Sequence, residues 1–263
     1  MSQIEFDENV AKGLEVVYSK RDVLRRRSLV RAALALEPGE RVLDVGCGPG
    51  FYAVEIVEVV GPEGSVTAVD NAPAMLALAA KRCEGWDNVE FAEGDATGIP
   101  VGDGEFDAAL SVQVLEYVED IPTALGEIHR ALRPGGRVVI WDVDWSTVSI
   151  NTSDPDRMQR MLAGWDEHLT YPTLPRRLTA DLHRAGFENV VMDGHVFATN
   201  RLDPETYGGY LIPFVAGFVR GRESVPTAEI DAWEAEQREL EERGEFYFTV
   251  TQFCFAARKP QGG

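Results

Sequence analysis

Three glycines at every second position constrain this chain more than any other feature of its sequence. They close the segment Arg41-Val-Leu-Asp-Val-Gly-Cys-Gly-Pro-Gly50, in which an apolar run leads directly into Gly46, Gly48 and Gly50. The apolar run predicts a buried parallel strand, and the glycines permit a tight turn and the close approach of a ligand to the backbone. The segment therefore predicts a strand followed by a ligand-binding turn.

A helix and a second strand follow this turn in the sequence pattern. From Phe51 to Val60 apolar residues recur at helical spacing, so one face packs on the sheet while the helix N-terminus directs its amides at the ligand. The second strand, 65–70, ends at Asp70, which lies 24 residues beyond Gly46. A carboxylate about 20 residues after the turn is typical of ribose recognition, so the unit predicts a nucleotide-type cofactor.

The place of the third glycine separates the classes of cofactor. In the dinucleotide fingerprint G-x-G-x-x-G the last glycine would stand where this chain has Phe51, and Gly50 comes one position early. Segment 42–50 instead resembles the first motif of the class I S-adenosylmethionine-dependent methyltransferases. An NAD-dependent oxidoreductase is a weaker alternative. A non-catalytic binding or partner protein with the same fold is another.

Further segments resemble motifs of that family in the required order. Residues 89–96 resemble its third motif, 105–113 its fourth strand, and 132–140 its helix end, glycine turn and fifth strand. The resemblance is strongest toward the branch that includes the ubiquinone and menaquinone C-methyltransferases. It implies an α/β, Rossmann-like fold whose seven-stranded sheet is mostly parallel, with a C-terminal antiparallel hairpin and a helical lid insertion. The implied cofactor is S-adenosylmethionine, with S-adenosylhomocysteine as its product.

The 263 residues are predicted to form one methyltransferase domain, because α/β domains of about 250 residues often share a single core. Strand and helix patterns alternate until Trp145 and then give way to helices at 155–169 and 175–185 and to strands near 188–196 and 246–257. The predicted parts are an N-terminal helical segment 1–36, a cofactor-binding core 37–145, substrate-side elements 146–245 with a lid insertion at about 200–245, and a final strand 246–257.

The resemblance also implies which residues hold the cofactor. It assigns the methionine end to Asp44, Gly46, Cys47, Gly48 and Gly50, the ribose to Asp70, the adenine to Asn71, Ala72, Met75, Asp95 and Ala96, and the sulfonium side to Gln113. Tyr18 is a further candidate, because an aromatic residue of the N-terminal helix often closes over the cofactor in this family. Met75 and Tyr18 have ordinary alternatives as a core methionine and a helix anchor.

Two acids and one histidine are the candidate catalytic residues. Asp142 and Asp144 stand two apart at the end of the predicted fifth strand, and so share one face. There they could accept a proton, fix an ammonium group or bind Mg²⁺, although one could instead cap the next segment. His168 could act as a general base because its ordinary pKa lies near neutrality, although a lone histidine among aromatic residues is more often structural. No metal site is predicted.

The acceptor is expected to be a small molecule in a mainly apolar pocket. Glu116 and Tyr117 follow the fourth strand, where the family commonly has an acid and a histidine. Because Tyr117 stands in place of that histidine, a base at this point is doubtful. The expected function is methyl transfer to oxygen, nitrogen or carbon, with preference for a hydroxylated ring or an isoprenoid-type acceptor. Aromatic residues predicted to line the pocket are Trp145, Trp165, Tyr171, Tyr207, Tyr210, Phe214 and Phe218.

The net charge of −19 argues against a nucleic-acid partner, whose phosphates would need basic neutralisation. A local basic cluster lies in the N-terminal helix, where Val23, Leu24, Val30 and Leu34 are predicted to face inward and the charges to face solvent, with contact to an anionic ligand as the alternative. The cluster comprises Lys20, Arg21, Arg25, Arg26, Arg27 and Arg31.

The remaining expectations concern the compartment and the assembly. Cys47, Cys83 and Cys254 form no C-x-x-C pair and are predicted to be free thiols in a reducing compartment. No positively charged leader and no apolar stretch of bilayer length is visible. The chain is predicted to be cytoplasmic, without stable membrane insertion, as a monomer or homodimer.

Overall fold

The computed structural model describes residues 17–222 and 224–262, so the first 16 residues of the predicted N-terminal segment lie outside the described residues. Its strands are β1 (Arg41–Val45), β2 (Ser65–Asp70), β3 (Val89–Glu93), β4 (Phe106–Val112), β5 (Leu132–Ile150), β6 (Glu188–Thr199) and β7 (Phe248–Arg258). Its helices are α1 (Arg21–Leu34), α2 (Phe51–Val60), α3 (Pro73–Arg82), α4 (Ile121–Ala131), α5 (Pro155–Asp166), α6 (Pro175–Arg184), α7 (Tyr207–Arg220) and α8 (Thr227–Glu242). A single 3₁₀ turn, Leu115–Tyr117, follows β4.

The described strands form one sheet in the order β3-β2-β1-β4-β5-β7-β6. Strands β1 to β5 pair in parallel, and β7 is antiparallel to both β5 and β6. The predicted fold class is therefore confirmed. The strand order reverses between β1 and β4, and in open α/β sheets ligands bind at such a reversal, beyond the carboxyl ends of the strands.

Two apolar layers cover the faces of this sheet. Helix α2 buries Ala53, Ile56, Val57 and Val60 on one face, and α4 buries Ile121, Leu125 and Ile128 on the other. Helix α4 begins where the Asp120 side chain accepts the Thr123 N–H at 3.0 Å, which satisfies one of the unpaired amides of its first turn.

Strand β5 extends beyond Trp145, to Ile150, with a register shift between Asp144 and Ser149. The extension forms because β7 is long enough to continue the antiparallel ladder past this irregularity. The predicted lid region contains α7 and α8, and α8 buries Ile230 and Trp233. The division into a cofactor core and substrate-side elements stays a prediction.

The predicted orientation of the N-terminal helix was wrong at three positions. Leu24 is 46% exposed, whereas Arg26 and Arg27 are only 3% and 5% exposed. Arg27 is held inside because its Nε lies 2.9 Å from Glu55 and its Nη1 donates to the Tyr18 carbonyl. Val23, Val30 and Leu34 face inward as expected.

Cys47, Cys83 and Cys254 are buried free thiols, as predicted. Within residues 17–222 and 224–262, no helix has both the length and the hydropathy required to cross a membrane.

Candidate active site

A cavity of about 960 Å³ opens at the carboxyl ends of β1, β2 and β4. Ligand pockets commonly measure 300–1,000 Å³, so this cavity has room for a nucleotide-sized ligand together with a small second molecule. Its wall includes the following predicted cofactor residues: Tyr18, Gly46, Gly48, Asp70, Asn71, Ala72, Met75, Asp95, Ala96 and Gln113.

The glycine loop has a different reason for each glycine. All three have positive φ, and a Cβ on Gly46 would lie 2.2 Å from Val114 Cγ2, while one on Gly50 would lie 2.7 Å from Ala79 Cα. A Cβ on Gly48 would meet only the Tyr18 hydroxyl, at 3.9 Å. Gly46 and Gly50 are thus required by packing, whereas Gly48 presents bare backbone to the cavity.

Three residues assigned to the cofactor lie beneath this surface rather than in it. Asp44, Cys47 and Gly50 do not line the cavity. The Cys47 N–H donates to the Val69 carbonyl at 3.0 Å and holds the turn in place. Asp44 is buried, and burial, followed by the neighbouring Asp70, raises the pKa of its carboxyl group to about 8.

Asp70 is fixed by the backbone that surrounds it. Its Oδ2 accepts the Gly48 N–H at 2.8 Å, and its Oδ1 accepts the Ala72 N–H at 2.9 Å. Burial raises the pKa of Asp70, and these two donors oppose that rise. A carboxylate offers about four acceptor sites, so two remain for the hydroxyls of a ribose.

The second acid of this half is held in a turn of its own. Asp95 Oδ1 accepts both the Thr97 N–H at 2.9 Å and the Thr97 hydroxyl at 2.6 Å, and these bonds lower the pKa of Asp95. Met75 and Ala96 are buried beside it in the cavity wall. An ionised acceptor flanked by apolar side chains suits the polar edge and the face of an adenine ring.

Sequence reasoning assigned no cofactor role to Arg26, whose cluster was predicted to face solvent, with contact to an anionic ligand as the alternative. Its guanidinium lines the cavity, donates from Nη1 to Gln113 Oε1, and lies 5.8 Å from the centroid of the Tyr18 ring. Its Nε is buried without a hydrogen-bond partner among the described groups. The signal was present, because Arg26 falls three residues after Val23 and so on the apolar face of the helix.

Tyrosine hydroxyls surround this guanidinium. Tyr18, Tyr52, Tyr207 and Tyr210 all act on it electrostatically. Burial raises the pKa of each of these hydroxyls, that of Tyr207 to about 12, and Arg26 opposes the rise. The tyrosines therefore stay neutral, and the cavity keeps a cation that no described carboxylate approaches within ion-pair distance.

The other half of the cavity is mainly aromatic. The α7 residues in its wall, at the lid, face Trp145 of β5 and Trp165 of α5, which contact each other with their ring centroids 5.5 Å apart. Tyr171 and Phe218 do not line the cavity: the Tyr171 hydroxyl donates to the Glu119 carbonyl, and Phe218 packs on Trp165. The wall of this acceptor half comprises Tyr117, Trp145, Trp165, His168, Tyr207, Tyr210, Leu211 and Phe214.

His168 lies in this wall in a defined tautomer. Its Nδ1 is bonded to the Trp165 carbonyl, which can only accept, so Nδ1 carries the proton and Nε2 is left as an acceptor. Burial lowers the pKa of His168 to about 4, against the bond to Trp165, which raises it. The imidazole is therefore neutral throughout the physiological range.

Asp142 and Asp144 do not line the cavity, contrary to their predicted placement. Asp144 is buried and serves the structure, since it lies 2.8 Å from Arg176 Nε and accepts the Ser146 hydroxyl at 2.6 Å. Asp142 is fully buried beside Glu116. Both acids share the expected strand, but helix α6 and the 3₁₀ turn cover them.

A family model described as a methyltransferase domain matches residues 36–186. The chain belongs to this methyltransferase family. Membership confirms the predicted family and, with it, S-adenosylmethionine as the cofactor. The matched residues contain every strand from β1 to β5 and the turns after them that border the cavity, whereas Tyr18 and Arg26 lie before the matched segment.

Relatives and solved structures resemble this methyltransferase to different extents. It is 39% identical over 112 residues to the 2-phytyl-1,4-naphtoquinone methyltransferase of Synechococcus elongatus, a match that covers 41% of this chain and 48% of that protein. The chain spans about half the length of the curated relatives it matches, or less. The identity to these relatives is therefore confined to a part of each chain.

Two solved structures have the same fold along nearly the whole chain. Phosphoethanolamine N-methyltransferase 2 of Haemonchus contortus, in complex with phosphomonomethylethanolamine and S-adenosylhomocysteine, has a TM-score of 0.64 at 18% identity and covers 98% of this chain and 58% of its own. The 4+2 cyclase SpnF has a TM-score of 0.57 at 25% identity and covers 90% of this chain and 82% of its own. The fold thus occurs in proteins named for different reactions.

Proposed function

We propose that this methyltransferase transfers a methyl group from S-adenosylmethionine to a hydroxylated ring held in the acceptor half of the cavity. The observation that carries the proposal is the continuity of one cavity, in which polar groups suited to a nucleoside meet a wall of aromatic side chains. A shared cavity lets both reactants lie in contact while the lid helix α7 excludes water, and methyl transfer needs little more than such alignment.

The residues of the cofactor half fit the adenosyl part of the cofactor. Asp70, held by the amides of Gly48 and Ala72, would bind the ribose hydroxyls, and Asp95 with Met75 would hold the adenine. When bound, S-adenosylmethionine supplies a methyl group that is already activated by its sulfonium. The protein has only to hold that group against the nucleophile.

Arg26 would bind the carboxylate at the methionine end. It is a buried cation beside Gln113 and near Tyr52, which follows the glycine loop. Taking a guanidinium out of water is costly unless an anion compensates it, and guanidinium pairs well with carboxylates. The sequence cluster that was expected to face solvent would thus supply one cofactor ligand.

His168 would orient the acceptor rather than store its proton. Its neutral Nε2 can accept a hydrogen bond from the hydroxyl of a ring while Trp145 and Trp165 contact the ring itself. A base with a pKa of about 4 does not retain a proton at neutral pH, so the acceptor proton would be released to the solvent outside the cavity. Asp142 and Asp144, predicted as catalytic, would act only through the structure.

The acceptor class rests on the aromatic wall and on the naphthoquinone named for the Synechococcus relative. An amine acceptor of the phosphoethanolamine type is the second candidate, from the named substrate of the Haemonchus structure. Aromatic rings stack well on a planar quinol, which favours the ring.

The test begins with calorimetric titration of S-adenosylmethionine, S-adenosylhomocysteine and NAD. We expect micromolar binding of both adenosyl ligands and none of NAD. The protein is then incubated with S-adenosylmethionine and, in separate samples, a short-chain 2-prenyl-1,4-naphthoquinol or phosphoethanolamine. Mass spectrometry should detect one methylated product from the naphthoquinol and none from phosphoethanolamine. His168→Gln should raise the KM for the naphthoquinol and leave the Kd for S-adenosylhomocysteine unchanged.

Three results would count against this function. Methylation of phosphoethanolamine alone would favour the amine class. Adenosyl binding without methylation of either compound would favour the non-catalytic alternative. Binding of NAD in place of the adenosyl ligands would contradict the cofactor assignment itself.

A further inference from the structure

Two carboxyl groups are buried directly behind the wall that separates the halves of the cavity. Glu116 belongs to the 3₁₀ turn after β4, Asp142 belongs to β5, and both side chains are fully buried. The Trp145 indole N–H donates to Glu116 Oε2 at 2.8 Å. The second Glu116 oxygen and both Asp142 oxygens complete no hydrogen bond with the described groups.

Neighbouring carboxyl groups that are shielded from solvent resist a second ionisation, and such a pair titrates as a unit. Burial raises the pKa of Glu116 to about 7, and burial followed by the charge of Glu116 raises that of Asp142 well above its ordinary value. One proton held between the two groups adds a donor to the one that the Trp145 indole supplies. At neutral pH the pair then carries one negative charge.

Three groups that interact with the pair also form the cavity wall. Trp145 donates to Glu116, the Gln113 side chain lies next to Glu116, and the positive charge of Arg26 favours ionisation of both carboxyl groups. Among the other titratable groups, the Tyr117 hydroxyl faces both carboxyl groups and the Tyr207 hydroxyl faces Glu116. Both are buried phenols with raised pKa values, so they add no charge at neutral pH.

We propose that Glu116 and Asp142 are a positioning pair that retains one proton and thereby leaves the Arg26 guanidinium free to bind the cofactor carboxylate. When the pair carries one negative charge, the Trp145 indole N–H donates to it, and Arg26 keeps its hydrogen bond to Gln113. The pair with two negative charges attracts Arg26 more strongly than the pair with one, and so draws it away from the cavity. The inference rests on the proposed function, because it takes Arg26 as the ligand of the cofactor carboxylate.

Linkage gives the sign of the effect. If a carboxylate on Arg26 favours the singly protonated pair, then binding must take up a proton whenever the free pair has begun to lose its last one. That proton comes from the buffer and ends on a carboxyl oxygen of the pair. The affinity for S-adenosylhomocysteine therefore falls as the pH rises above neutrality, by at most tenfold per pH unit for one linked proton.

The experiment is calorimetric titration of S-adenosylhomocysteine from pH 7 to pH 9, each point in two buffers of different ionisation enthalpy. The wild-type protein should take up a fraction of a proton near pH 8. Asp142→Asn is neutral at every pH and keeps an N–H donor toward Glu116, so it should abolish this uptake. The ratio of the dissociation constants of the wild-type protein and Asp142→Asn should change by about tenfold between pH 7 and pH 9. Titration of the ligand, Asp44 and Asp70 affects both proteins equally and cancels in this ratio.

Asp181→Asn is the matched control. Asp181 is also a buried acid, but it lies on α6 with Arg177 and Arg184 as its partners. It should reproduce the wild-type proton uptake. If Asp142→Asn fails to fold, Glu116→Gln takes its place, since a single remaining carboxyl group cannot form the pair.

The outcomes separate the two proposals. Binding without proton uptake in the wild-type protein overturns the positioning pair and leaves the proposed function intact, as does uptake that persists in Asp142→Asn or Glu116→Gln. Absence of S-adenosylhomocysteine binding at every pH contradicts the proposed function first. Uptake that Asp142→Asn abolishes and Asp181→Asn retains supports the pair.

Discussion

The two halves of the cavity are built in different ways. The cofactor half consists of short segments that follow successive strands between Gly46 and Gln113, and backbone amides fix its central acid, Asp70. The acceptor half is assembled from β5, α5 and α7, and its contacts use side chains. A site made of backbone turns can therefore be predicted from local sequence, whereas a site made of packed side chains depends on long-range structure.

The largest effect is expected at Asp70, where the cofactor half should fail outright. Asp70→Ala removes the proposed acceptor for the ribose and also leaves the Gly48 and Ala72 amides without their partner. At about 1.5–3 kcal/mol for each bond to a charged group, the affinity for S-adenosylhomocysteine should fall by ~100-fold or more in calorimetry. Asp87→Ala, at an exposed acid outside the cavity, is the control. Unchanged affinity in Asp70→Ala would contradict the assignment of this half of the cavity to the cofactor.

A smaller loss is expected at Arg26, which joins the two halves. Arg26→Met keeps the length of the side chain but removes its charge, so S-adenosylhomocysteine should bind ~10-fold to 100-fold more weakly. Methylthioadenosine, which has no carboxylate, should bind equally to both proteins. Arg21→Met, at a residue of the same helix whose side chain is 63% exposed, should leave both affinities unchanged. Equal losses for both ligands would assign Arg26 to general packing.

The smallest effect is expected in the acceptor half, at a contact that holds the lid. Glu236 of α8 accepts bonds from Thr152, Ser153 and Arg157, and joins the lid to the start of α5. Glu236→Gln should lower the free energy of unfolding by about 1–2 kcal/mol and the Tm by ~2–8 °C, with the affinity for S-adenosylhomocysteine unchanged. Glu239→Gln, at an exposed position of the same helix, is the control.

The pH dependence of that stability difference follows from the direction of the pKa shift. Burial by itself raises the pKa of Glu236, but its bonds to Ser153, Arg157 and Thr152 lower it below the ordinary value. The stabilisation is therefore present above the unfolded-state pKa of about 4.3 and is lost as the pH falls through the lowered folded-state value. Thermal unfolding at pH 7 should separate the two proteins, and unfolding at pH 3 should bring them together. A separation that grows in acid would contradict this assignment.

Sequence reasoning was reliable where successive residues carried the information. The spacing of Gly46, Gly48 and Gly50 predicted the turn after β1, and the end of the next strand placed Asp70 beside it. A change of one residue in such a segment alters the backbone itself, so the pattern and the geometry are closely tied. The same reasoning failed at Asp142 and Asp144, because the strand was right but the elements covering its end could not be known.

The family, the sheet and the glycine turn beside the cavity follow from the sequence alone, since each depends on local backbone requirements in a fixed order. The inward position of Arg26, the burial of Glu116 and Asp142, and the contribution of α7 to the cavity wall follow only from the tertiary structure. Those outcomes depend on which buried groups meet across long separations in the chain. No short pattern encodes such meetings, because the cost of burying a charge is set by the partners that the finished fold provides.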